Sequence, residues 1–355
     1  MRSADAIERI VVRGANWIGD AVMSVPALRE LSRLFPDSEI VLHTKEAVKG
    51  LFDDADFVDR VLPLDKRSSR IKQTVAQAEL LGNNEFDLAI LFPNSFESAL
   101  TTSLARIPHR IGYNKDLRGL LLTEPVPVPE WKEKRHEVYY YLNLVAEVEK
   151  RFLGTLSVGS CEPDISLNVS EERLENARER LRISGADLSR PLIAIGAGST
   201  NSMAKRWGTE NFSTLAEHLH KEFEAEIILI GAAAEADIAL DMRNAASFPL
   251  IDLTGKTDIS EAAALLSIAD LLVSNDMGLA HVAPAVGTRT AVIFGPTDPV
   301  TTRPFSHQAR VIRHEVECSP CMLRECPIDH RCMTGVTVEH VLEICRGSLF
   351  DQADQ

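Results

Sequence analysis

The stretch VSNDMGLAHVAPAVGTRTAVIFGPTD, from Val273 to Asp298, constrains the fold more than any other part of the chain. An apolar run ends at Val273, a polar turn carries Asn275 to Gly278, a helical period follows, and a second apolar run covers Thr290–Phe294. This is the pattern of two buried parallel strands joined through a helix. The helix is expected over Leu279–Val286, with His281 in its first turn and Asp276 just before it. The first N–H groups of a helix lack intrahelical partners and the helix dipole is positive there, so an anionic ligand is best held at such a turn. An ordinary Asn-Asp-x-Gly turn beside a structural histidine would carry the same letters.

The same alternation runs through both halves. Strands are expected at Arg9–Arg13, Glu39–His43, Phe57–Leu64, Asp87–Phe92 and Arg110–Tyr113, with helices at Asp20–Phe35, Ser69–Leu81, Ser95–Leu104 and Tyr139–Phe152. In the first of these helices Pro26 predicts some distortion. Composition changes between Gly154 and Pro191, around a charged helix over Ser170–Ile183. Alternation then resumes with strands at Leu192–Ile195, Glu226–Ile230, Leu250–Asp252 and Leu271–Val273 and helices at Thr209–Phe223, Ala234–Ala246 and Ile259–Ala269. The expected class is α/β, with two doubly wound parallel-sheet domains facing a cleft. A length of 355 residues suits two domains. We place them at 1–168 and 169–340, with 341–355 as a helix or tail packing back on the first. No sequence repeat links the halves.

The net charge of −14 argues against general nucleic-acid binding, which needs a basic surface. A local basic run, Lys132, Lys134, Arg135 and His136, reads as a solvated loop or as a local site for an anionic ligand. No apolar run reaches the roughly 18 residues of a membrane span. The start MRSADAIERIVV is charged and leads straight into a strand, so no secretory signal is expected. The cytoplasm is the expected compartment.

Open α/β sheets bind ligands outside the carboxyl ends of their strands. Three polar turns lie there. The first, RGANWIGDAVMSVPAL, lacks both G-x-G-x-x-G and the P-loop pattern, which disfavours a dehydrogenase. Its Asp20 is either a cap or first-turn carboxylate, or a general base for a hydroxyl. The second, GAGSTNSMAKRW, offers Ser199, Thr200 and Asn201 to phosphate oxygens and Lys205 as a point charge for a diphosphate. Its bland reading is a polar loop with a surface lysine, and Trp207 is expected to pack. The third is the Asp276 turn.

Taken in order, RGANWIGDAVMSVPAL, GAGSTNSMAKRW, IGAAAEAD, LTGKTDISEAAALL, VSNDMGLAHVAPAVGT and CSPCMLRECPIDHRCM resemble the ADP-heptose–lipopolysaccharide heptosyltransferases of glycosyltransferase family 9 over nearly the whole chain. The Cys-rich segment favours the type II enzymes, which add the second heptose of the inner core. The resemblance implies a GT-B fold, an N-terminal acceptor domain, a C-terminal ADP-heptose domain and inverting transfer without a divalent metal. It implies Asp20 as the base on the acceptor hydroxyl and Lys205 on the diphosphate, with Ser199, Thr200 and Asn201 as phosphate-loop neighbours. By the same resemblance Glu235 lies near the ribose, Thr257 on the adenine and Asp276 on the donor heptose. Met277, Gly278 and Leu279 supply backbone N–H groups, and His281 stands beside them. Met277 replaces a threonine of the type I enzymes, so no side-chain hydroxyl is available there. The implied partners are ADP-heptose and heptosylated Kdo2-lipid A at the inner-membrane face.

Cys318, Cys321, Cys326 and Cys332 form C-x2-C-x4-C-x5-C, with His330 between the last two. Zinc accepts four such ligands, but the spacing is not a standard finger, and reduced thiols in a packed loop are preferred over zinc or a redox role. Rival functions are another GT-B nucleotide-sugar transferase, an epimerase acting on a nucleotide-sugar alone, and a nucleotide-binding module without turnover.

Overall fold

The computed structural model of the chain describes residues 7–64, 69–200 and 202–350. It divides into two compact units, Met1–Ile165 and Ser166–Gln355. The first holds strands β1 Arg9–Arg13, β2 Glu39–Lys45, β3 Arg60–Leu64, β4 Leu88–Leu91, β5 His109–Tyr113 and β6 Glu124–Val126. The second holds β7 Leu192–Gly196, β8 Glu226–Leu229, β9 Ile251–Asp252, β10 Leu271–Asn275, β11 Arg289–Phe294 and β12 Ala309–Arg313. Each set forms a parallel six-stranded sheet, in the orders β3-β2-β1-β4-β5-β6 and β12-β11-β10-β7-β8-β9. Counted from β7, the second order repeats the first. Strand order therefore reverses between β1 and β4 in one sheet and between β7 and β10 in the other, which is where such sheets take ligands.

The central strands carry apolar runs, RIVVR in β1, LIAIG in β7 and LLVSN in β10 up to Val273, because helices cover both faces. All of β7 and β10 is buried. Helices supply one apolar stripe each. In Thr209–Phe223 the buried residues are Phe212, Leu215, Ala216 and Leu219. They join Ile193, Ile195, Val273 and Ile293 in one core.

The expected helix Asp20–Phe35 is two helices, Ile18–Met23 and Val25–Leu34. Pro26 has no N–H to continue the ladder, so the chain breaks at Ser24, whose hydroxyl donates to Ala21 O at 2.7 Å. Strands β6 and β12 were not expected. Both lie at sheet edges, β6 contains Pro125, and β12 alternates with arginine, so neither has the apolar run of a central strand. The C-terminal helix Val338–Phe350 belongs to the second unit. Val341, Leu342 and Cys345 enter the second unit's core, and Arg346 pairs with Glu222 at 2.6 Å. Among the described residues no helix is long and apolar enough to cross a membrane.

Candidate functional site

In the second unit, the loops after β7 and β10 flank the point of strand reversal and are bound to each other. Asn275, fully buried at the end of β10, accepts from Trp207 N at 3.0 Å and donates through Nδ2 to Ala197 O at 2.7 Å. Its amide thus replaces the hydrogen bonds that the irregular chain after β7 cannot make within the sheet. One residue on, Asp276 is 6% exposed, and Lys205 Nζ lies 2.6 Å from its Oδ2. Thr297 Oγ1, in the turn after β11, donates to the same oxygen at 2.6 Å. The lysine and the acid, 71 residues apart in the chain, thus meet at one point.

The helix after this turn is Gly278–Ala285, with Met277 at the N-cap in extended conformation and without a side-chain cap. The first-turn amides of Gly278 and Leu279 therefore have no acceptor within the helix. The Met277 sulfur packs at β7, where a Cβ on Gly196 would stand 2.8 Å from it. His281 is buried.

Glu235 is buried at the turn after β8. It accepts from Thr200 Oγ1 at 3.1 Å and from Ala232 N at 2.9 Å. Its carboxyl fills the space beside two glycines, since a Cβ on Gly198 or Gly231 would come within 2.1 or 2.5 Å of it. Gly255 has φ +70° and sits so close to Ala233 that a Cβ would be 2.6 Å from its Cα. The loop after β9, which leads to the half-buried Thr257, therefore runs beside the Glu235 turn. Thr200–Glu235 and Lys205–Asp276 are thus brought together as two pairs. Ser199 is buried, and its carbonyl accepts from Arg206 Nη2 at 3.2 Å. Asn201 lies outside the described residues.

The Cys-rich segment braces the loop after β7 and the turn after β11. Ala204 N and Ser202 Oγ donate to Arg324 O at 3.0 and 3.1 Å, and His330 Nε2 is 2.6 Å from Ala204 O. Cys321 N and Met322 N donate to Pro296 O at 3.0 and 2.8 Å. All six cysteines are free thiols. Burial, then the neighbouring Cys318, Cys321 and Cys326, push the Cys332 thiol up. Among the described residues no group of three or more His, Cys, Asp or Glu is arranged to hold a metal ion.

In the first unit, Asp20 lies in the first turn of Ile18–Met23, half-buried; Trp17 is the N-cap. The Trp17 ring is 54% exposed, with Lys45 Nζ 5.0 Å from its centroid. The loop after β4 is held by Arg118, which is fully buried and donates to Pro93 O, to Tyr113 O at 2.8 Å and to Asn94 Oδ1 at 3.3 Å. Asn94 Nδ2 in turn donates to Tyr140 OH at 3.1 Å. The basic run is largely engaged. Lys132 pairs with Glu137 at 2.6 Å, His136 caps the helix Glu137–Phe152, and Arg135 stacks on Trp131 and Tyr139.

Sequence reasoning assigned no role to Asn275, Thr297 or Asn94. Each is a polar residue at or within three residues of the carboxyl end of a buried strand, and that position was the available signal.

The model of glycosyltransferase family 9 (heptosyltransferase) matches residues 75–331. Lipopolysaccharide heptosyltransferase 2 of Escherichia coli K12 is 29% identical over 315 residues, covering 86% of this chain and 88% of that one. The Salmonella typhimurium protein of the same name is 28% identical over 319 residues, with the same coverage. The solved structure of E. coli ADP-heptose LPS heptosyltransferase II superimposes with a TM-score of 0.82 at 26% identity, covering 98% of this chain and 99% of that one. A family 9 glycosyltransferase structure from Veillonella parvula shares the fold, with a TM-score of 0.83 at 20% identity and 97% of each chain covered. With two Rossmann-like sheets of the GT-B kind and this family match over most of its length, the chain belongs to glycosyltransferase family 9, the heptosyltransferases, and is a glycosyltransferase.

Proposed function

We propose that the chain transfers L-glycero-D-manno-heptose from ADP-heptose to the first heptose of the lipopolysaccharide inner core, with inversion at the anomeric carbon. The observation that carries this reading is the Lys205–Asp276 pair at 2.6 Å, which joins the two loops at the reversal point of the second sheet. The names of the relatives support a heptose as the sugar, ADP-heptose as the donor and lipopolysaccharide as the acceptor class.

In this reading the second unit holds the donor. The N–H groups of Met277, Gly278 and Leu279 and the Lys205 ammonium take the diphosphate, with Ser199, Thr200 and Asn201 beside it. Glu235 takes the ribose, Thr257 packs on the adenine, Asp276 faces the heptose and His281 supports the turn. Asp20 removes the proton from the acceptor hydroxyl as that oxygen bonds to the anomeric carbon. The bond from that carbon to the diphosphate oxygen breaks, and ADP leaves from the opposite face. The leaving diphosphate gains charge in this step, so fixed N–H donors and one lysine lower the barrier without a divalent cation. In this reading the acceptor is a lipid-anchored saccharide, and the enzyme works from the cytoplasm at the inner-membrane face.

A transfer assay with a defined one-heptose acceptor tests the reading, with ADP-heptose, UDP-sugars and GDP-sugars as donors and EDTA present. Heptose transfer from ADP-heptose alone, undiminished by EDTA, is expected. Donor breakdown without acceptor, or preference for another nucleotide-sugar, contradicts it.

A further inference from the structure

The turn after β11, Gly295 to Asp298, has no part in the scheme above, yet its threonine touches the acid assigned to the sugar. Thr297 Oγ1 and Lys205 Nζ both lie 2.6 Å from Asp276 Oδ2. Among the described residues no hydrogen bond reaches Asp276 Oδ1. Two short charge-assisted contacts on one oxygen fix the carboxylate plane and leave the other oxygen's lone pairs for a ligand.

The two contacts are not equivalent. Lys205 is a flexible ammonium on a half-buried side chain, suited to leave the acid for a diphosphate. Thr297 is 7% exposed and stiff at χ1. Its backbone is held from behind. Ser319 Oγ donates to Gly295 O at 2.6 Å, and the Cys321 and Met322 amides donate to Pro296 O. Gly295 itself is locked against Met333, whose sulfur a Cβ there would meet at 2.2 Å. Once the lysine turns to the diphosphate, the threonine is the contact that keeps the acid in place.

We propose that Thr297 is a positioning residue for the donor sugar: it holds Asp276 so that the open carboxylate oxygen accepts hydroxyls of the nucleotide-linked sugar. This rests on the reading that Asp276 faces that sugar. It makes Thr297 matter for the glycosyl half of the donor and not for the nucleoside diphosphate half.

The test is calorimetric titration of ADP and of a nonreactive ADP-heptose analogue into the wild type, Thr297→Val and Thr297→Ser, with thermal unfolding of each. In Thr297→Val the affinity for ADP should stay within about twofold. The extra affinity contributed by the heptose should fall about tenfold, the size of one hydrogen bond to a charged group. Thr297→Ser, which restores the hydroxyl, should recover most of it. Equal losses for ADP and the analogue, or an undiminished heptose contribution in Thr297→Val, would overturn the proposal. A wild type that binds the analogue no better than ADP would overturn the Asp276 reading itself, and the proposal with it.

Discussion

In the second unit the loops at the strand-order reversal are tied to each other, through Asn275 to Ala197 O and Lys205 to Asp276. The loops in the same places of the first unit are tied to their surroundings. Arg13 donates to Gly14 O and Asn16 Oδ1 within its own turn, Gly14 N donates to His43 O, and Arg118 holds Pro93 and Asn94 from the β5 side. One strand order thus supports two designs. The first leaves a carboxylate on a short helix beside an exposed indole. The second joins a lysine and an acid across two loops, and the ammonium has to turn from that acid to meet a diphosphate. A base needs only reach its hydroxyl at the right protonation state.

The largest expected effect tests the first design. Asp20→Asn should lower transfer by about 10²–10⁴-fold, the usual contribution of a general base. Steady-state rates within tenfold of wild type would remove the base from the first unit. Lys205→Ala should lower turnover by about 10²–10³-fold with circular dichroism unchanged, as for loss of one oxyanion donor. A near-normal rate would leave the second unit's pair without a catalytic role.

Stability contrasts are smaller. Arg118→Met leaves buried carbonyls unpaired, each costing about 1–3 kcal/mol, so urea unfolding should lose about 3 kcal/mol while ADP binding persists. Parallel loss of ADP binding would mean the two designs are not independent. Glu149 is fully buried near the end of the first unit. Burial alone would raise its pKa, but donors from Ser157, Val158 and Thr155 outweigh this and hold it at about 2. A carboxyl lowered on folding stabilises above its unfolded pKa and loses that contribution as pH falls through the folded one. The destabilisation of Glu149→Gln should therefore be full at neutral pH and shrink between pH 4.5 and about 2. A constant difference across that range would contradict the hydrogen-bonded anion.

Much of the fold was legible because parallel strands covered on both faces leave continuous apolar runs, as in LIAIG and LLVSN. Two of the four edge strands were not: β6 and β12 mix Pro and Arg into short strands. The break at Ser24 followed from Pro26, though its place did not. That the helix Val338–Phe350 enters the second unit's core was not legible, because an apolar stripe says that a face is buried, not against what. In the site, Lys205 and Asp276 were legible as turn residues after strands. Their shared oxygen with Thr297 was not, since only the β10–β11 register, Asn275 opposite Ile293, brings the next turn alongside.

The most direct test of the division between the units is donor binding alone. Titration of a nonreactive ADP-heptose analogue should give the same affinity for the wild type and Asp20→Asn and a much weaker one for Lys205→Ala. Loss of binding in Asp20→Asn, or its retention in Lys205→Ala, would contradict it.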